Sequence, residues 1–166
     1  MNQKGFTVIE MVVIGAIIGI LSAIAMPNFQ VWVANHRLRN DVAQLEGDLQ
    51  VARITAINRN APVTVLFNQA LGTYSVFIDD GTGGGGVRNL TRDGTEVVLF
   101  QRTLESGVSF SAINMTSNAI LFNGKGLRWR PIADPVQAEL YNGQNRKYCV
   151  NVTLVGDVNV VNAVCS

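Results

Sequence analysis

Hydrophobic and polar positions follow three successive rules along this chain. From Phe6 to Met26 nearly every position is apolar or small. Lys4 precedes the run, Glu10 is the one charge inside it, and no further Asp, Glu, Lys or Arg occurs until Arg37. From Leu38 to Ala56 the pattern becomes helical: Leu38, Val42, Leu45, Leu49, Ala52 and Ala56 recur at steps of four and three, which is one stripe on an α-helix. Arg39, Asp41, Gln44, Asp48 and Arg59 are expected on the opposite, solvated side. After Asn60 the period falls to two, as strands require.

These patterns predict the elements. Residues 6–59 read as one helix, roughly 80 Å long if continuous. Pro27 removes one of its hydrogen bonds and favours a kink, and Pro62 closes it, because the residue before a proline avoids helix. Strands are expected at Pro62–Phe67, Thr73–Ile78, Thr95–Leu104, Val108–Ile113, Asn118–Phe122, Gln137–Tyr141, Lys147–Val155 and Val158–Cys165. The fold class is α+β: a long N-terminal helix, apolar all round in its first half and amphipathic in its second, laid on an antiparallel β-sheet domain. Four segments follow: residues 1–5, 6–26, 27–60 and 61–166.

Composition sharpens two points. The 166 residues carry a net charge of +1, so no global field selects nucleic acid or an acidic substrate. The run at 6–26 exceeds the roughly 7–15 apolar residues of an ordinary signal peptide and is long enough to span a bilayer as a helix. Glu10 is expensive there, about 2.5–3.5 kcal/mol at a helix centre, and needs a compensating partner. Lys4 sets the start of the chain on the cytoplasmic side, so residues after Pro27 lie outside the cytoplasm, where disulfides persist. A hairpin centred on Asp157 would set Cys149 opposite Cys165 and allow a bond between them; the alternative is two buried thiols.

Candidate chemistry is sparse. His36 reads as a solvated residue on the polar part of the helix. No zinc, nucleophile-elbow or phosphate-loop motif is present. Gly83 to Gly86 form a flexible loop, and Asp79, Asp80 and Asp93 beside glycines lack the order of a calcium loop. No cofactor or metal is expected. Lys125, Arg128, Trp129 and Arg130 interleave cations with an aromatic, with Arg146 and Lys147 as possible neighbours. Such a patch suits phosphates and stacked bases, or a contact with another subunit.

Lys4-Gly5-Phe6-Thr7-Val8-Ile9-Glu10, then an apolar helix and Pro27, resembles the processing motif of type IV prepilins and type II secretion pseudopilins. Leu49 to Val65, the phrase Ile120-Leu-Phe-Asn-Gly-Lys-Gly126 and the late cysteines are similar to the GspH/FimT/FimU group of minor pilins and pseudopilins. The resemblance implies a structural subunit, not an enzyme. A prepilin peptidase would cut between Gly5 and Phe6, removing leader 1–5, and methylate Phe6. The subunit would wait in the inner membrane, single-pass, with its head in the periplasm. An inner-membrane platform would then assemble it with other pilins, through their N-terminal helices, into a pilus or pseudopilus that it helps to initiate or cap. Glu10 would pair with the amine of a neighbouring Phe6, and Gly15-x-x-x-Gly19 would allow close helix packing. The resemblance also carries an alternative, a DNA-binding minor pilin acting in natural transformation. Those members bear a late GRxR-type motif, where this chain has Gly156-Asp157-Val158-Asn159.

Overall fold

The computed structural model describes residues 5–129, 136–144 and 146–165. One helix, α1 (Val8–Arg59), accounts for 52 residues and runs without interruption through Pro27. Asn28 Nδ2 donates to the Ile24 carbonyl beside that proline, at 3.4 Å. The helix ends as Asn60 turns left-handed at φ 48° and its N–H bonds back to Ala56 and Ile57, a termination that asparagine tolerates.

Among the described residues eight strands follow, all at the expected places. They are β1 (Val63–Asn68), β2 (Thr73–Ile78), β3 (Val98–Thr103), β4 (Ser109–Asn114), β5 (Ala119–Phe122), β6 (Gln137–Tyr141), β7 (Lys147–Val152) and β8 (Val158–Val161). They divide into two antiparallel four-stranded sheets, ordered β3-β2-β1-β5 and β4-β6-β7-β8. The helix packs on β1 and β5 of the first sheet and on β6, β7 and β8 of the second. All six residues of the stripe from Leu38 to Ala56 are buried, among them Leu38, Leu45 and Leu49 at 0% exposure. They meet Val63, Val65, Ile120, Phe122, Leu140 and Val150 in one continuous core.

Two acids expected on the solvated face are buried instead. Asp41 accepts a hydrogen bond from the Glu105 backbone N–H at 2.9 Å. Asp48 accepts from the Tyr74 hydroxyl at 2.7 Å and pairs with Arg102 at 3.3 Å. Both are one helical step from the apolar stripe, and partners from the β2–β3 side of the head cover them. Burial pushes the Asp41 carboxyl above its ordinary range against the lowering effect of the Glu105 N–H. The Tyr74 hydroxyl is also pushed up, first by burial and then by the Asp48 carboxylate.

The two cysteines are bonded, with Cα atoms 5.2 Å apart, but not through the expected register. The β7–β8 hairpin pairs Cys149 with Val161 and Val152 with Val158, so it is centred on Val155 rather than Asp157. Its turn is closed by the Thr153 N–H donating to the Asp157 carbonyl at 2.9 Å. The chain leaves β8 after Val161 and returns to bring Cys165 over Cys149. Glu139, the β6 residue opposite Cys149, holds that return. Its carboxylate accepts from Cys165 N–H at 3.0 Å, Lys147 Nζ at 2.8 Å and Ser111 Oγ at 2.5 Å.

Cys165→Ser should therefore lower stability by about 3 kcal/mol on chain-entropy grounds, read as an earlier urea midpoint, with β1 to β3 still protected from hydrogen exchange. Burial opposes ionisation of Glu139, yet its Lys147, Ser111 and Cys165 hydrogen bonds together hold the carboxyl below its ordinary range. Its stabilising contribution is thus complete above the unfolded-state value and is lost as pH falls through the lower folded-state value. Glu139→Gln should flatten the acid side of a plot of stability against pH; an unchanged slope there would show that the charge is not what holds the tail.

Candidate functional site

Among the described residues nothing covers the first half of α1. Every residue from Gly5 to Trp32 is exposed, including Ile17 at 52%, Leu21 at 61% and Phe29 at 63%. This is the one helix among the described residues long and apolar enough to cross a membrane. An apolar surface of that extent marks a site for lipid or for other helices. Gly15 and Gly19 lie on it, and a Cβ added at either would meet nothing.

Glu10 has a local partner that the motif reading missed. Thr7 caps α1: its Oγ1 accepts from the Glu10 N–H at 3.3 Å, and the Glu10 carboxylate accepts from the Thr7 N–H at 3.4 Å. Thr-x-x-Glu before an apolar run is a capping box and was legible at positions 7 and 10. Glu10 therefore fixes the start of the helix as well as offering a charge. The negative group also suits the positive end of the helix dipole. Phe6, immediately before the cap, is 72% exposed.

The basic stretch after β5 does not form one exposed face. Lys125 is exposed in a turn that Asn123 Oδ1 closes by accepting from the Lys125 and Leu127 N–H groups at 2.9 and 3.2 Å. Arg128 is only 3% exposed, so burial removes it from the expected contact surface. Trp129 packs partly buried against the core, and Arg130 lies outside the described residues. Arg146 is not beside them: it borders α1 near Trp32 to Ala43, whereas Lys125 borders Asn60. Those two helix positions are about 25 Å apart along the axis. Lys147 is bound to Glu139.

The remaining acids act as loop fasteners. Asp79, fully buried, accepts from Thr64 Oγ1 at 2.8 Å and from the Asn89 and Leu90 N–H groups at 3.2 and 3.0 Å. Glu96 accepts from the Gly81 and Asp93 N–H groups at 3.0 and 2.9 Å. Asp80 is occupied by Thr82, whose hydroxyl and backbone hydrogen bonds hold its carboxyl below the ordinary range. The loop from 79 to 96 is thus tied at both ends. Among the described residues no group of three or more His, Cys, Asp or Glu could hold a metal ion. His36 is exposed, as expected.

Arg53 is a positioning residue that no pattern in the sequence singles out. It is on α1 beside the buried stripe and grips both loops that approach the helix end. Nε donates to the Gly126 carbonyl at 3.0 Å, Nη2 to the Val155 carbonyl at 2.9 Å, and Nη1 meets Asp157 Oδ1 at 2.8 Å. The loops approach so closely that a Cβ on Gly156, at φ +83°, would be 2.4 Å from the Gly126 carbonyl oxygen. Arg53 thereby joins the helix to the β5–β6 connection and to the β7–β8 turn. Arg53→Ala should cost about 2 kcal/mol, the scale of a charge-assisted hydrogen bond. It should also raise amide exchange at Gly126 and Gly156 while leaving β1 and β2 protected; unchanged exchange at both glycines would remove Arg53 from that role.

A family model described as type II transport protein GspH matches residues 41–156. A fimbrial protein of Pseudomonas aeruginosa is 44% identical over 55 residues, 33% of this chain and 35% of that protein. The type IV major fimbrial protein FimA of Dichelobacter nodosus strain VCS1703A is 32% identical over 96 residues, 54% of this chain and 59% of that protein. The chain thus spans about a third of the length of the first curated relatives it matches. Among solved structures, the minor pseudopilin EpsH from the type 2 secretion system of Vibrio cholerae superposes with a TM-score of 0.54 at 12% identity, covering 76% of this chain and 97% of that one. The type IV minor pilin FimU of Pseudomonas aeruginosa gives 0.53 at 11% identity, covering 74% and 91%. At those identities the likeness is one of fold: a long N-terminal helix on antiparallel sheets.

Proposed function

Because this chain belongs to the family of type II transport protein GspH, we propose that it is a structural subunit, a minor pilin or pseudopilin, that a prepilin peptidase matures and an inner-membrane platform assembles. The observation that carries the reading is the exposed apolar half of α1, which none of the described residues covers. Before assembly a bilayer supplies that cover; afterwards the helices of neighbouring subunits do. The N-terminal apolar helix and the family fit a membrane-anchored protein whose head faces the periplasm. Cleavage between Gly5 and Phe6 would free an amine directly before the Thr7 cap. In a filament, the amine of one subunit offers Glu10 of the next a charged partner in apolar surroundings, where an unpaired carboxylate is costly. Gly15 and Gly19 let helices approach there. In this reading the head initiates or caps the filament, and Pro27 marks where the bundled part of the helix gives way to the part bound to its own head.

Mass spectrometry of the chain produced together with its peptidase should find methylated Phe6 as the first residue; any other N-terminus refutes the processing step. Because Glu10 also caps α1, two substitutions separate its roles. Glu10→Gln keeps an acceptor that completes a capping box but removes the charge, whereas Glu10→Ala removes both. Amine pairing expects both variants to enter the membrane, fold their heads and fail to enter filaments. Normal incorporation of Glu10→Gln would reduce Glu10 to a helix cap.

A further inference from the structure

At the end of the fully exposed half of α1, three rings follow one another along a single face. Phe29 and Trp32 stack with centroids 5.8 Å apart, and His36 meets Trp32 edge-on at 5.5 Å. The face continues into an open groove bordered by Trp32, His36, Arg39 and Asn40 of α1 and by Arg146 of the β6–β7 connection. That connection is fastened to the helix here. Asn142, 5% exposed, donates from Nδ2 to Asn35 Oδ1 at 2.9 Å, and its own Oδ1 accepts from the Gln144 N–H at 3.0 Å. The groove is therefore built into the fold.

Its charge is one-sided. Among the described residues neither Arg39 nor Arg146 is in an ion pair, and no acid borders the groove. Nearby Arg37 is engaged elsewhere, donating to the Ser106 carbonyl at 3.1 Å and pairing with Glu105 at 3.6 Å. Arg39 and Arg146 thus border the same groove as Trp32 and His36.

The position along the helix says what meets them. A hydrocarbon core of about 30 Å, counted from Glu10 at 1.5 Å per residue, ends near residue 30, and the headgroup layer adds about four residues more. Phe29 and Trp32 fall at that boundary, where aromatic side chains concentrate. His36 and Arg39 come directly above it, and arginine extends its charge along such a boundary while its stem stays apolar. We propose that, while the subunit rests in the bilayer, this groove seats the phosphate of an anionic phospholipid, held by Arg39 and Arg146 with Trp32 against the lipid's glycerol region. Guanidinium matches phosphate through paired hydrogen bonds. Two uncompensated cations select a lipid with net negative charge over a zwitterionic one, whose own ammonium they repel. The inference rests on the membrane-anchored reading above.

The test uses the full chain. Native mass spectrometry from detergent counts retained phosphatidylglycerol and phosphatidylcholine offered in equal amounts, and flotation with vesicles of each lipid reports membrane association. Phosphatidylglycerol should be retained in excess. Arg39→Gln and Arg146→Gln should each reduce that excess about fivefold, the scale of one cation near an anionic surface. Arg59→Gln, exposed at the far end of α1, should leave it unchanged. Equal retention of both lipids, or an excess that survives the double substitution, overturns the lipid site. So does displacement of the lipid by inorganic phosphate at matched concentration, which would make the groove a free-anion site. Flotation separates the two ideas: floating with both vesicle types but without preference sinks the groove alone, whereas failure to float with either sinks the anchored state as well.

Discussion

The packing of the stripe Leu38–Ala56 against two sheets at once is the constraint on which the rest of the structure depends. Residues of both sheets and the buried stripe of the helix share one core. One stripe of six residues sets how far α1 protrudes, because fixing Leu38 at 0% exposure leaves every residue up to Trp32 in the open. The hydrophobic effect supplies the adhesion. The polar contacts supply the address: Asp41 to Glu105, Asp48 to Tyr74 and Arg102, Arg53 to the loops at Gly126 and Gly156. A helix sliding by one turn would keep most of its apolar burial and lose all of these, leaving buried carboxylates without donors.

The same economy recurs in the head. Asp79, Glu96 and Glu139 are buried acids whose oxygens face backbone N–H groups or a lysine. Each closes a segment that has no regular structure of its own. These acids therefore hold loops in place, as Asp41 and Asp48 hold the helix.

Much of this was legible in the sequence. The helix and all eight strands stood where periodicity put them, since β-branched alternation and turn residues are local signals. The division into two sheets was not, because β5 returns to β1 and β4 pairs with β6 across long separations that only packing decides. Asp41 and Asp48 were misread because a polar residue on a helix looks solvated until a partner from a distant loop covers it. The cysteine pair was right for an incorrect reason: counting from Asp157 put the turn's centre two residues off and so shifted the pairing by four, and the tail's return, held by Glu139, restored the meeting. The basic stretch failed in the opposite way, since burial of Arg128 is a tertiary fact that no local pattern carries. Arg53 was invisible because two of its three acceptors are backbone carbonyls, which every residue possesses, and the third, Asp157, is distant in sequence.

The uneven anchoring of α1 makes it a cantilever. From Val8 to Val33 it reaches about 38 Å beyond its last firm support, clamped at the other end by Asp41, Asp48 and Arg53. A tilt of about 10° at the head, over that arm, would carry Thr7 through roughly 6–7 Å. In the proposed filament, small adjustments between neighbouring heads would thus be geared up at the far end, and small sideways shifts among packed helix tips would be geared down where the heads meet.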